Sequence, residues 1–231
     1  MLPLATSLFA NTDKQLWFGY AHQGRISNHW GYWVDIHHRT KNNFAGNLHT
    51  EIIRLGGTYF LNSDWRFTLG YAGVLHFPSL TNQNFVRPEH RPWQQVFYTH
   101  TWKNIRTANY LRSEQRLLRK TSGEELTEGF LFRQRFRASV MLIFCVDKKE
   151  FKEGSWGIVL NNEVFVNAYS SDKAKAFDQN RAFAGLTYNI NPAVQLQLGY
   201  LNVFSLSGTK KEMAHGIRLS AFHNVDFRKK K

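Results

Sequence analysis

Two runs of the sequence place charge at every second position: Tyr110 to Arg119 (Y-L-R-S-E-Q-R-L-L-R) and Phe130 to Val146 (F-L-F-R-Q-R-F-R-A-S-V-M-L-I-F-C-V). With a period of two, Arg112, Glu114 and Arg116 share one face of the first run. In the second, Arg133, Arg135 and Arg137 share a face, and Phe132, Phe136, Ala138, Val140 and Leu142 take the other. Guanidinium groups are planar forks of N–H donors that suit carboxylate and phosphate. Gathered in one place, they either bind an anion or are neutralised by nearby carboxylates in a salt-bridged plug. A symmetric hairpin between the runs sets Glu114 opposite Arg135, Arg112 near Arg137 and Arg116 near Arg133. Glu163 is the expected counter-charge within a strand, and Glu89 or Asp178 from loops, with Gln179 and Arg181 beside them.

Other chemistry is thinly represented. A hydrolytic nucleophile needs a base within hydrogen-bond reach. Ser27 and His29 meet only at a turn, and His100 has no nearby Ser. His37, His38, His90, His215 and His223 are scattered, without the spacing of a metal site. No catalytic residue, metal ligand or cofactor is therefore expected. The single cysteine, Cys145, excludes an internal disulfide and sits in an apolar run. The net charge of +13 is spread along the chain, with only Arg228 to Lys231 clustered. Without a recognised reading motif, that charge does not make a nucleic-acid binder.

The elements that must carry these residues read as strands of about 9 to 15 residues from Gln15 onward, separated by alternating short and long connections. Examples are Ile158, Leu160, Val164 and Val166 against Val159, Asn161, Glu163 and Phe165, and Ala182, Ala184, Leu186 and Tyr188 opposite Arg181. The stretch Phe77 to Pro92 carries three prolines and reads as a long loop, as do the Gly- and Glu-rich residues 120–129. The longest uninterrupted apolar run, Val140 to Val146, is far short of the roughly 20 residues a spanning helix needs. A chain of this kind crosses a bilayer with strands, apolar side chains outward and polar ones in the lumen, and aromatics at 15% would supply the interfacial girdles. Eleven strands can be counted. Because bacterial single-chain barrels are normally even, the expectation is an all-β, antiparallel, up-and-down transmembrane β-barrel of about 12 strands, with 10 as the alternative. Ser113, Gln115 and Gln134 share the lipid-side face, so that end of the hairpin is expected to project above the hydrocarbon layer. Residues 1–14 read as an N-terminal segment or signal remnant. M-L-P-L-A-T-S-L-F-A resembles the apolar part of an export signal with maturation near Asn11, but lacks a basic start and has Leu8 where a small residue is preferred. Residues 15–231 read as one barrel domain.

Several motifs also carry a family resemblance: E-H-R-P-W-Q-Q (Glu89 to Gln95), R-S-E-Q-R (Arg112 to Arg116), F-R-Q-R-F-R (Phe132 to Arg137), N-N-E-V-F-V-N (Asn161 to Asn167), F-D-Q-N-R (Phe177 to Arg181) and H-N-V-D-F-R (His223 to Arg228). In this order they resemble the family of unknown function numbered 2490, found mostly in Bacteroidota and taken to form outer-membrane β-barrels. The resemblance implies a barrel in the bacterial outer membrane, surrounded by its lipid. It implies no activity. The expected role is structural, or the passage or binding of small anionic solutes through a charged lumen, with Arg112, Glu114, Arg116, Arg133, Arg135, Arg137, Glu163, Gln179 and Arg181 forming the charge network. The competing readings are a membrane-embedded lipid hydrolase or acyltransferase, and a soluble β-sandwich or lipocalin-like binder.

Overall fold

The computed structural model describes residues 12–44, 46–78, 85–147, 150–207 and 210–228, so the expected export signal and the basic residues 229–231 lie outside the described residues. Eleven strands follow one another: β1 (Thr12–Arg25), β2 (Trp30–Lys41), β3 (Asn47–Phe60), β4 (Trp65–His76), β5 (Arg87–Trp102), β6 (Ile105–Ser122), β7 (Glu125–Cys145), β8 (Trp156–Ser170), β9 (Phe177–Asn189), β10 (Val194–Ser207) and β11 (Lys210–Asp226). Each pairs with the next, and β1 closes onto β11. Ten of the pairings are antiparallel; the closing one is parallel, with Trp17 opposite Arg218. The barrel is all-β and closed, as expected. The described strands number eleven rather than twelve or ten, and a parallel seam is what allows an odd set to close.

The strands form because apolar and polar residues alternate, and the wall is one residue thick. In β8 every second residue is buried from Gly157 to Asn167, while Ile158, Leu160, Val164 and Val166 are exposed. The same exposed apolar face continues around the wall through Phe18, Ile36, Leu55, Leu69, Leu111, Val140, Leu186, Leu198 and Ile217. These apolar faces do not meet in a core, as a β-sandwich would require; they point away from the barrel. The polar residues on the outer face satisfy one another: Gln115 Nε2 donates to Gln94 Oε1 (3.1 Å) and Gln134 Oε1 (3.2 Å), and Gln134 Nε2 donates to Ser113 Oγ (2.8 Å).

Inside, the lumen is more apolar than expected. Trp17, Ile143, Val159, Phe183, Leu201, Val203 and Ala214 form one inward cluster, and Ile52, Ala72, Val74 and Trp93 another. The bore is narrow, so side chains from neighbouring strands pack against each other and exclude water, as in other small barrels.

Two expected loops are strands. β6 and β7 run on to Ser122 and Glu125, joined by Gly123 and Glu124; Gly123 takes the positive φ (58°) that so tight a connection needs. β5 begins at Arg87, so Pro88 and Pro92 lie within a strand. Pro92 is tolerated where the ladder to β6 lapses: His90 faces Leu117 and Trp93 faces Glu114, but Arg91 and Pro92 have no partner there. One rim of the barrel therefore carries residues 42–44, 46, 77–78, 85–86, 123–124 and 171–176 between its strands, and is called the upper rim; the lower rim carries 26–29, 61–64, 103–104, 146–147, 150–155 and 190–193.

The parallel seam can be tested by cross-linking. Leu16 faces Ile217, and Tyr20 faces Ala221. Because disulfides need Cα atoms within about 7 Å, Leu16→Cys with Ile217→Cys should oxidise readily, and Leu16→Cys with Ala221→Cys should not. Cross-linking of the second pair in place of the first would mean a different closure.

Candidate functional site

The hairpin of β6 and β7 delivers the charged runs in the expected register: Arg112 faces Arg137, Glu114 faces Arg135 and Arg116 faces Arg133. All six side chains point inward. Glu114 is completely buried and receives Arg135 through Nε (2.8 Å) and Nη2, while Arg112 and Arg91 approach at 3.8 and 3.9 Å. Glu163 accepts from Arg137 Nη2 (2.6 Å) and from the Tyr110 hydroxyl (2.5 Å), with Arg181 at 3.9 Å. Gln179 accepts from Arg181 Nε at 2.8 Å. Arg133 turns away from Glu114 to Asp172 beyond β8, and Arg112 Nε donates to Gln95 Oε1 (2.8 Å).

Glu89 is not a loop residue. It sits on β5, 1% exposed, and holds three bases at once. Arg116 donates through Nε and Nη2 (2.8 and 2.9 Å), Arg91 through Nε (2.7 Å), and His76 Nε2 lies at 2.8 Å. Asp178, the second residue of β9, accepts from Arg135 Nη1 at 2.8 Å.

The sequence reading missed a second acidic centre and its arginines. Asp35 on β2 accepts from Arg54 Nη1 on β3 (2.7 Å) and from the Trp33 indole (2.8 Å), with His37 at 3.4 Å. The available signal was a lone Arg54 between Ile53 and Leu55, facing Asp35 between Val34 and Ile36. A single charge flanked by apolar outward residues is weaker than an R-x-R-x-R run, but it obeys the same period.

Pairing cannot neutralise this interior. Among the described residues, Arg39, Lys41, Arg54, Arg91, Arg112, Arg116, Arg135 and Arg181 are buried cations, eight in number, against the four buried carboxylates Asp35, Glu89, Glu114 and Glu163. Many of the inward arginines, inside and outside this set, also lie over aromatic faces, where the ring quadrupole attracts a guanidinium. Arg39 lies 3.9 Å from the Trp17 ring centroid, Arg218 3.5 Å from Phe183 and Arg66 3.7 Å from Phe97. Phe165, fully buried, is approached by Arg135, Arg137 and Arg181 at 5.1, 4.8 and 4.4 Å.

The free space is divided. An upper chamber of about 550 Å³ opens toward the upper rim, and a lower one of about 250 Å³ toward the lower rim. Trp17, Arg39, Arg54, Arg137 and Arg181 line both, and so form the waist between them. Beside the upper chamber, the hydrogen bond and charge of Arg133 hold the Asp172 carboxyl down at about 2. The hydrolytic candidates do not assemble. Ser27 Oγ accepts the Trp30 amide, His29 Nδ1 lies against the Phe60 carbonyl, and His100 meets Asp64. Among the described residues, no group of three His, Cys, Asp or Glu could hold a metal ion.

Comparison with known proteins adds two findings. The family described as protein of unknown function (DUF2490) matches residues 14–214. The structure of the NanC porin in a rhombohedral crystal form resembles this barrel with a TM-score of 0.52 and 12% identity, over 90% of this chain and 98% of that one. At that identity the likeness speaks for the fold alone. No curated protein matches the chain.

Removing one partner of a buried ion pair leaves an uncompensated charge, which costs about 3–5 kcal/mol. Glu114→Gln should destabilise the barrel by about that amount in urea unfolding followed by tryptophan fluorescence. Asp172→Asn, at a partly exposed pair, should cost under about 1 kcal/mol. The Asp172 carboxyl is depressed when folded, so its contribution is intact above the ordinary carboxylate range and is lost as pH falls through about 2. Equal losses for the two variants would contradict the burial assigned to Glu114.

Proposed function

Because the chain belongs to DUF2490, a family of unknown function, its role must be argued from its own geometry, and we propose that it is an integral outer-membrane β-barrel that passes or binds small anionic solutes through its lumen. The observation that carries this reading is the inversion of the wall. Apolar side chains face outward on every side, while buried cations outnumber buried carboxylates two to one inside. An outward apolar band suits lipid, the one surrounding partner this reading requires. The mutual hydrogen bonds of Gln94, Ser113, Gln115 and Gln134 lower the cost of holding that polar patch on the outer face. The NanC likeness supports the same reading from the side of the fold.

In this reading the upper rim faces outward from the cell, and the arginines of β6 and β7 stand in the outer half of the lumen. Their field draws anions toward the waist. The ion pairs serve a second purpose at no contradiction to the first: they brace the narrow wall, while the arginines without a carboxylate keep the field positive. The protein acts by selective passage rather than by catalysis.

Planar-bilayer recording of the purified protein in a KCl gradient should show single-channel steps and a reversal potential on the chloride side. Arg39→Glu with Arg181→Glu, at the waist, should move that potential toward the potassium side. Absence of steps, or cation selectivity in the unaltered protein, would defeat the passage reading. The membrane assignment has its own check: Leu69→Arg, on the exposed apolar face, should cost about 2–4 kcal/mol if that position lies near the bilayer midplane. A neutral outcome in lipid vesicles would argue against a lipid-facing wall.

A further inference from the structure

The lower chamber differs in chemistry from the upper one. Its lining includes only two carboxylates, Asp35 and Glu163, and both are already engaged, by Arg54 and by Arg137 with Tyr110. Four of its arginines, Arg39, Arg66, Arg106 and Arg218, have no carboxylate partner among the described residues, and two of these, Arg66 and Arg106, reach the hydroxyls of Thr99 and Thr101. Arg39 on β2 and Arg218 on β11 are the register partners of Trp17 on β1, one on each side. Three adjacent strands thus present Arg, Trp and Arg at one level, and strand spacing of about 4.8 Å sets the two arginine Cα atoms roughly 10 Å apart. Arg39 is 8% exposed, and the Nε–H groups of both arginines are buried without a hydrogen-bond acceptor among the described residues. Each guanidinium carbon lies over a ring, that of Trp17 or of Phe183, so the ring serves as its seat while its Nε–H stays without an acceptor.

Beside these guanidinium groups lies an apolar bed. Trp17, Ile143 and Phe183 belong to one inward cluster, and Met141 packs against it; Trp17, Met141 and Ile143 line the chamber itself. An inorganic anion would use the arginines and leave the bed bare. A buried donor pair beside an apolar surface fits a solute with both an acceptor and a carbon body. At about 250 Å³ the chamber is small, below the usual range for drug-sized ligands, and admits little more than one ring or a short chain.

We propose that the lower chamber is a binding site for a small organic carboxylate with a compact apolar body. The carboxylate oxygens accept from Arg39 and Arg218, and the body rests on Met141 and Ile143. The proposal rests on the lumen reading above for the solute's way in, but it makes a narrower statement about where the solute stops and what it is.

Calorimetric titration of the detergent-solubilised protein with benzoate, acetate and inorganic phosphate tests it without requiring conduction. Benzoate should bind at least tenfold more tightly than either acetate or phosphate. Arg39→Gln and Arg218→Gln should each weaken benzoate binding at least tenfold, and Arg218→Lys should weaken it less than Arg218→Gln. Equal affinity for the three anions in the unaltered protein would overturn the proposal even if both Gln variants failed to fold. So would unchanged benzoate binding in folded Arg39→Gln and Arg218→Gln. A protein that binds benzoate but shows no bilayer conductance would refute passage and leave this site standing; an anion-selective pore indifferent to benzoate would do the reverse.

Discussion

The barrel is governed by a shortage of negative charge in a confined space. A guanidinium buried among the lumen side chains must have a partner or carry a desolvation penalty of several kcal/mol. Four buried carboxylates serve eight buried cations. Each acid is therefore shared: Glu89 holds Arg91, Arg116 and His76, and Glu114 holds Arg135 with Arg91 and Arg112 close by. Aromatic rings take up part of what the acids cannot cover. This explains why a polar lumen contains Trp17, Trp93, Phe165 and Phe183, which a simple apolar-out, polar-in rule would place on the other face. The rings fill the bore and at the same time provide the second kind of seat for a guanidinium.

The same shortage helps specify register. A one-residue slip between β6 and β7 would carry Glu114 or Arg135 to the outer face of the wall, and a two-residue slip would set Glu114 against Arg133 or Arg137 and break its bond to Arg135. Ion pairs of this kind add little net stability compared with packed apolar groups. Their value here lies in making the wrong alignments costly.

Much of this was readable from the chain. The period-two alternation identified most strands, and the pairing of Glu114 with Arg135 followed from a symmetric hairpin, because both runs carry charge on a single face. Three features were not readable, each for a physical reason. Pro88 and Pro92 signalled a loop, since a sequence does not reveal where a ladder lapses enough to admit a proline; Glu89, a chief counter-charge, was consequently placed outside the wall. The stretch from Lys120 to Gly129 is rich in Glu and Gly, which have low strand preference, and only the pairing of two long neighbours holds it extended. Arg39, Arg54, Arg91 and Arg218 stand singly on their strands. Their convergence arises from closure of the sheet, which brings β11 to β1 and so places Arg218 and Arg39 on either side of Trp17.

The parallel seam has a consequence for the path of the chain as a whole. In a tube with an even number of strands, the polypeptide leaves by the rim at which it entered, and both ends share one compartment. Here β1 starts at the upper rim, and β11, running alongside it in the same direction, finishes at the lower one. The described strands pass along the wall once more in one direction than in the other. Set in a bilayer, such a barrel would have the chain enter β1 at one face of the membrane and leave β11 at the other.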